Sequence, residues 1–177
     1  IQRFRVGVVD ANFTAVEGVE VTVSAVPHSY IKGIWSATYD DGGSFIRWVT
    51  TGAAGLGDPT TTCAYEDSDL DGILDEGEDT NGDGEMTPGG VLTATKSVTT
   101  GVDGDAIIDI TYTEDQGAWV NVDLVVSAKV SGTESTKKVH FRLPVSAEDT
   151  GNEFNFPRTN IGVTGPYGKS DDCTDPN

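Results

Sequence analysis

Cationic side chains are scarce in this sequence, and long hydrophobic runs are absent. The 177 residues include 11 Lys+Arg against 29 Asp+Glu, which gives a formal net charge of −18. A surface of that charge repels phosphate groups, so we expect no nucleic acid as a partner. No apolar stretch approaches the roughly 20 residues that a membrane-spanning helix requires, so we expect no membrane insertion.

Residues and motifs typical of enzyme active sites are also scarce. The two histidines lie far in sequence from the two cysteines, which argues against a zinc site and against a cysteine nucleophile. The motifs G-x-S-x-G, H-E-x-x-H and the phosphate-binding glycine loop do not occur. We therefore predict that the chain is not an enzyme and has no catalytic residues. Because it begins at Ile1 without an initiator methionine, we interpret it as a processed chain or an excised segment.

Cys63 and Cys173 are the only thiols. An even number of cysteines in an acidic, lysine-poor chain favours one disulfide formed in an oxidising compartment. A bridge that closes so long a loop stabilises by about 4–5 kcal/mol in the chain-entropy model. The alternative is a pair of buried free thiols.

Alternation of β-branched and polar residues dominates the chain. Since no stretch keeps a helical period, we expect little helix. Short strands separated by Gly- and Asp-rich turns favour an all-β, Ig-like antiparallel sandwich. The predicted strands cover Phe4, Val6 and Val8, and then residues 19–23, 45–49, 91–95, 106–112, 119–130 and 138–145.

The segment 66–85 is dense in carboxylates, and no Lys or Arg occurs between Arg47 and Lys96. Such density causes self-repulsion unless cations neutralise it. Residues 67–78 read D-S-D-L-D-G-I-L-D-E-G-E, a spacing that places oxygen donors around a calcium ion, with Gly72 at the sharp turn. The predicted ligands are Asp67, Asp69, Asp71, the carbonyl of Ile73, Asp75 and the bidentate Glu78.

A second, less complete loop follows at once. Its candidate ligands are Asp79, Asn81, Asp83 and Glu85, but Gly90 stands where the closing Glu belongs. This second site must borrow a carboxylate, use water or bind more weakly. We therefore predict one Ca²⁺ site and leave two or more sites open.

The first loop resembles the EF-hand calcium loop over all 12 positions. Because the second loop begins without a gap and strand-forming residues flank the pair, the segment is also similar to the tandem loops of thrombospondin type 3 repeats and dockerins. That resemblance implies structural calcium rather than a helix-moving switch. We expect an Ig-like sandwich over 1–147, with the loops inserted at 64–90, and an extended tail over 148–177 that the disulfide ties down.

The strand Gly18–Val23 and the hairpin entry Thr100–Tyr112 resemble bacterial Ig-like domains of the invasin and intimin type. The resemblance covers about residues 1–147 apart from the loops. It implies an extracellular or bacterial cell-surface location, with a structural or adhesive role. It carries over no catalytic residue.

Three functional hypotheses follow, of which the third is an accessory domain cut from a larger secreted hydrolase. The first is a calcium-stabilised structural subunit of a surface filament, a homopolymer in which the strand of Phe4, Val6 and Val8 pairs with a neighbouring copy. An ordinary first strand within its own sheet is the alternative for that segment. The second hypothesis is an adhesin or carbohydrate-binding module with a glycan or surface ligand. Its sugar-stacking residues would be Trp35, Trp48 and Trp119, although tryptophans more often fill a sandwich core.

Overall fold

The computed structural model describes residues 1–154 and 163–177 and confirms the all-β prediction. In these residues, helix is limited to α1 (Ala147–Thr150) and a 3-10 turn over Glu114–Gln116. No helix in the same residues is long and apolar enough to cross a membrane. The strands are β1 (Gln2–Gly7), β2 (Glu20–Lys32), β3 (Ile34–Tyr39), β4 (Phe45–Thr51), β5 (Thr61–Ala64), β6 (Leu92–Ala94), β7 (Ser97–Thr99), β8 (Asp105–Tyr112), β9 (Val120–Val130) and β10 (Thr133–Arg142).

The strands form antiparallel sheets in a sandwich-like arrangement. One sheet has the order β1-β8-β6, a second has the order β10-β9-β2-β5 with β7 also paired to β2, and β3 pairs with β4. Strands β1 and β10 are therefore edge strands of their sheets. Strand β2 continues through Pro27, and the pairing of Ser29 with Ala64 and Lys32 with Thr61 joins its second half to β5.

Backbone contacts divide the chain into two compact units. Unit 1 comprises Ile1–Val26, Leu92–Tyr112 and Val122–Phe141. Unit 2 comprises Pro27–Val91, Thr113–Asn121 and Arg142–Asn177. The predicted sandwich boundary at residue 147 lies within the last segment of unit 2. The predicted tail 148–177 falls in unit 2 too, although residues 155–162 of it lie outside the described part of the chain.

Unit 1 has an aliphatic core between two sheets. Ile108 and Ile110 of β8 and Leu124 of β9 are buried at its centre. Phe4 of β1 packs at a ring-centroid distance of 4.8 Å from Phe141 of β10. Strand β1 pairs with β8 of its own chain over six residues, from Gln2 with Ile110 to Gly7 with Asp105. The alternating burial along β1 follows from that pairing, because every second side chain faces the core.

Unit 2 combines a small aromatic core with buried hydrogen bonds and a disulfide. Trp35 and Trp119 are buried edge to face, with ring centroids 5.5 Å apart. The predicted disulfide joins Cys63 to Cys173, with Cα atoms 5.6 Å apart. Lys32 is only 1% exposed, and its Nζ donates to the backbone carbonyls of Asp172, at 2.9 Å, and Asp175. The segment that follows Ser170 is therefore held both by the disulfide and by a buried ammonium group.

Candidate metal centre

The acidic segment of unit 2 connects β5 to β6. Its described backbone consists of turns and bends without a regular strand or helix. At the sixth position of each predicted loop, Gly72 (φ 86°) and Gly84 (φ 78°) adopt the left-handed conformation. Glycine takes this conformation without steric cost, which explains why both loops can turn sharply at that point.

The Asp67 carboxylate organises the first loop. Its Oδ1 accepts the backbone N–H of Asp71 at 3.1 Å, and its Oδ2 accepts that of Gly72 at 3.0 Å. Asp71 Oδ1 in turn accepts the N–H of Ile73 at 2.8 Å. Each carboxylate oxygen has two lone pairs, so these bonds leave acceptor capacity for a cation.

The folded loop gathers its five predicted carboxylates. One oxygen from each of Asp67, Asp69 and Asp71 lies within 4.8 Å of the others, and the same holds for Asp69, Asp75 and Glu78. Two oxygens bound to one calcium ion at about 2.3–2.6 Å lie at most about 5 Å apart. The separations are therefore those of oxygens that can share a metal ion, and Asp69 is common to both groups.

Glu78 closes the loop onto its beginning. Its Oε1 accepts the backbone N–H of Ser68 at 2.8 Å and the Ser68 hydroxyl at 2.6 Å, while its Oε2 accepts the N–H of Asp75 at 3.0 Å. These bonds, that from the Ser68 side chain first, lower the pKa of Glu78. By contrast, desolvation and the nearby Asp71 charge raise the pKa of Asp69. A bound cation would reverse that effect, because an opposite charge favours the ionised carboxylate.

The second loop repeats the hydrogen bonds of the first with an offset of twelve residues. Asp79 Oδ2 accepts the N–H of Gly84 at 3.0 Å, as Asp67 Oδ2 accepts that of Gly72. Asn81 Oδ1 accepts the N–H of Asp83 at 2.9 Å, and Asp83 Oδ1 accepts that of Glu85 at 2.8 Å. Among the residues that the structure describes, the carboxylate clusters include no side chain of this loop. The second loop thus has the backbone form of the first but gathers fewer charges.

The carboxylate of Glu66 is a structural element that sequence reasoning did not single out. The residue is 2% exposed. Its Oε1 accepts the backbone N–H groups of Thr80, at 3.1 Å, and Asn81, at 3.2 Å, and its Oε2 accepts that of Thr87 at 2.8 Å. The Glu66 backbone N–H also donates to the Thr87 carbonyl at 3.1 Å. Glu66 therefore fastens the start of the segment to its second loop.

Two further contacts strengthen this attachment. The Asn81 side-chain amide donates to the Thr87 hydroxyl at 3.1 Å. The Tyr65 hydroxyl lies 3.3 Å from Asp67 Oδ2 and 3.2 Å from Met86 Sδ, so it touches both ends of the segment. Burial, and next the Asp67 charge, raise the pKa of Tyr65 to about 12. The phenol is therefore neutral at physiological pH and able to donate its proton.

Comparison with protein-family models, with curated proteins and with solved structures found no match to this chain. The resemblance to invasin-type domains therefore rests on the residues quoted above.

Proposed function

We propose that this chain is a calcium-stabilised structural subunit of an extracellular assembly, such as a filament on a bacterial surface. The observation that carries the proposal is the convergence of the first loop's carboxylates on common points. The remaining supports are the disulfide, the sandwich and the acidic composition of the segment.

The donor set favours calcium over other metals. The five side chains of the first loop supply oxygen atoms only, whereas zinc prefers nitrogen and sulfur donors. A flexible loop with many carboxylates suits the six to eight oxygens that calcium takes, while magnesium requires a tight octahedron and retains several waters. Asp67, Asp69, Asp71, Asp75 and Glu78 would hold the ion, with the Ile73 carbonyl as a further ligand.

A structural role for the ion follows from the flanking elements. Strands β5 and β6, and not helices, enclose the segment, so helix opening of the kind used by calcium sensors does not apply. Leu70 and Ile73 of the first loop are exposed, and the loop has little apolar surface to bury. Metal binding would supply the free energy that orders it.

An extracellular assembly accounts for the remaining features. A disulfide persists in oxidising compartments, and calcium sites of extracellular modules operate at the high calcium concentrations found there. Self-association by strand exchange would replace the six β1–β8 residue pairs with the same pairs between copies. In that arrangement, Phe4, Val6 and Val8 of one copy would fill the core of the next.

Calorimetric titration of the calcium-depleted protein tests the metal assignment. We expect binding of at least one Ca²⁺, an increase in Tm, and protection of residues 64–90 from proteolysis. Absence of binding at millimolar calcium would contradict the proposal. Electron microscopy of concentrated protein, together with amide exchange along β1, tests the filament, which would be excluded if β1 stays paired within monomers at every concentration.

A groove in unit 2 favours a carbohydrate-binding module as the second candidate. The half-buried Trp48 lies in a cleft of about 440 Å³ that Arg47 and Arg142 also line. The Trp48 indole N–H donates to the Asn152 carbonyl at 3.1 Å, which fixes the ring. Because Trp35 and Trp119 are buried, fluorescence quenching by an oligosaccharide would report mainly on Trp48. Quenching that persists in Trp48→Phe would exclude this cleft as the binding site.

A further inference from the structure

A preformed turn projects from unit 1 directly after β1. Val9 and Ala15 form an antiparallel bridge that closes it. The Asp10 N–H donates to the Thr14 carbonyl at 2.9 Å, and Asp10 Oδ1 accepts the N–H groups of Asn12, at 2.8 Å, and Thr14, at 2.9 Å. The Phe13 N–H also donates to the Asp10 carbonyl at 3.0 Å, so backbone groups and the Asp10 carboxylate close the turn without the Phe13 side chain.

Phe13 lies at the tip of this turn and is unfavourable in two respects, its exposure and its backbone conformation. It is 88% exposed, and its φ of 62° lies in the left-handed region that residues other than glycine disfavour. Strained residues of this kind cluster at functional sites.

A second turn in the chain shows that its hydrogen bonds do not require phenylalanine. In the turn 40–44, the Asp40 N–H donates to the Ser44 carbonyl and Asp40 Oδ1 accepts the N–H groups of Gly42 and Ser44. The residue equivalent to Phe13 there is Gly43, with a φ of 81°. Glycine meets the demands of this turn, so the phenyl ring at position 13 needs another explanation.

An apolar groove of about 650 Å³ lies beside the turn, within unit 1. It opens between the end of β1 and the strands β9 and β10. Valines supply most of its apolar wall, polar side chains such as Ser127 and Ser135 complete the lining, and the turn residues 10–12 form part of its rim. Val102, on the neighbouring turn, is 81% exposed and adds apolar surface to this end. The apolar residues along its walls include Val6, Val8, Val21, Val126, Ala128 and Val130.

Charge favours a second copy as the occupant. Unit 1 contains six Lys/Arg and eight Asp/Glu, whereas unit 2 contains five Lys/Arg and 21 Asp/Glu. Two copies of a chain of charge −18 repel each other least when they meet through unit 1. The groove also carries Lys137, which forms no ion pair with the residues that the structure describes, and the entering turn carries Asp10.

We propose that the Phe13 turn and this groove form a two-fold interface, in which the Phe13 ring of each copy enters the groove of the other. The Phe13 turn and the groove are adjacent on the surface of one copy. Mutual insertion therefore uses both features of each copy in a single contact, which gives a closed dimer. Asp10 of each copy then comes to Lys137 of its partner. This interface is built on β1 paired within its own chain, so it does not require the proposed strand exchange, and it uses no calcium ligand.

Sedimentation velocity of the full chain over a range of concentrations, with calcium present, tests the interface. We expect a reversible dimer for the wild type and a dissociation constant about 10- to 100-fold weaker for Phe13→Gly. The Tm of the Phe13→Gly monomer should not fall, because the change relieves the backbone conformation. The matched control is Phe154→Ser, since Phe154 is a 93% exposed phenylalanine of unit 2, and it should leave the dimer unchanged.

A groove variant provides the second arm. Ala128→Phe fills the groove from within and should weaken the dimer as Phe13→Gly does, with folding checked by circular dichroism. A photo-crosslinking phenylalanine analogue at position 13 should form inter-copy crosslinks to residues 126–137. A wild type that stays monomeric at all concentrations, equal dimerisation of Phe13→Gly, or crosslinks only to the acidic segment would overturn the proposal.

Discussion

The two units reach an ordered state by different means. In unit 1, Ile108, Ile110 and Leu124 fill the space between two sheets. In the acidic segment of unit 2, carboxylates take over that role by accepting backbone N–H groups, as Glu66 does from three residues. With 21 Asp/Glu against five Lys/Arg, unit 2 has few internal cations to neutralise them. This contrast indicates that the order of this segment depends on polar hydrogen bonds rather than on apolar burial.

Leu124→Ala tests the apolar core of unit 1 and has the largest expected effect on the free energy of unfolding. Removing a buried leucine costs about 2–5 kcal/mol of unfolding free energy, through lost transfer and a cavity. Denaturant unfolding measures that loss, and Val139→Ala, at an exposed position of unit 1, is the control. Calcium affinity of the folded variant should stay at the wild-type value. A loss of affinity along with stability would show that the loops depend on the unit 1 core.

Glu66→Gln is next in size and acts within unit 2. An amide places an NH₂ group against backbone donors, so at least one buried N–H loses its acceptor, at a cost of about 1–3 kcal/mol. Amide exchange should accelerate at Thr80, Asn81 and Thr87. The matched control, Glu76→Gln, changes an exposed carboxylate of the same segment. Equal effects of the two substitutions on stability and amide exchange would contradict the structural role of Glu66.

Glu78→Gln tests the ligand assignment with a smaller effect on folding. A bidentate Glu78 carboxylate would supply two calcium ligands, so its replacement should weaken the first site by about tenfold or more. Glu76 is the control, because its exposed carboxylate belongs to the same loop but is not among the predicted ligands. Titration calorimetry of Glu78→Gln and Glu76→Gln compares them. An affinity loss in Glu76→Gln as large as in Glu78→Gln would contradict the assignment.

The sequence predicted the strands that alternate cleanly. The strands at Phe4 and at residues 106–112 correspond to β1 and β8, in which burial alternates, and residues 119–130 correspond to β9, which is buried mainly over its first half. Strand β3 has no clean alternation of burial and was missed, as was the three-residue β7. The extension of β2 through Pro27 was also missed, because proline rarely continues a paired strand.

At the candidate metal centre, the loop carboxylates that spacing along the chain singled out form hydrogen bonds with near neighbours. Asp67, for example, bonds to residues four and five positions ahead. Glu66 instead accepts N–H groups from residues 14 to 21 positions ahead. No local sequence pattern encodes such a contact, so the sequence does not distinguish Glu66 from the solvated carboxylates of the segment. The division into two units depends in the same way on long-range contacts.

Amide hydrogen exchange with and without calcium tests the central claim most directly, since it reports on both units in one experiment. We expect the amides of Asp71, Gly72 and Gly84 to lose protection when calcium is chelated, while those of Ile108, Ile110 and Leu124 keep theirs. Calcium at about 100 times its dissociation constant should stabilise the bound state by about 2.7 kcal/mol. Equal protection of residues 66–87 in both conditions would contradict the account.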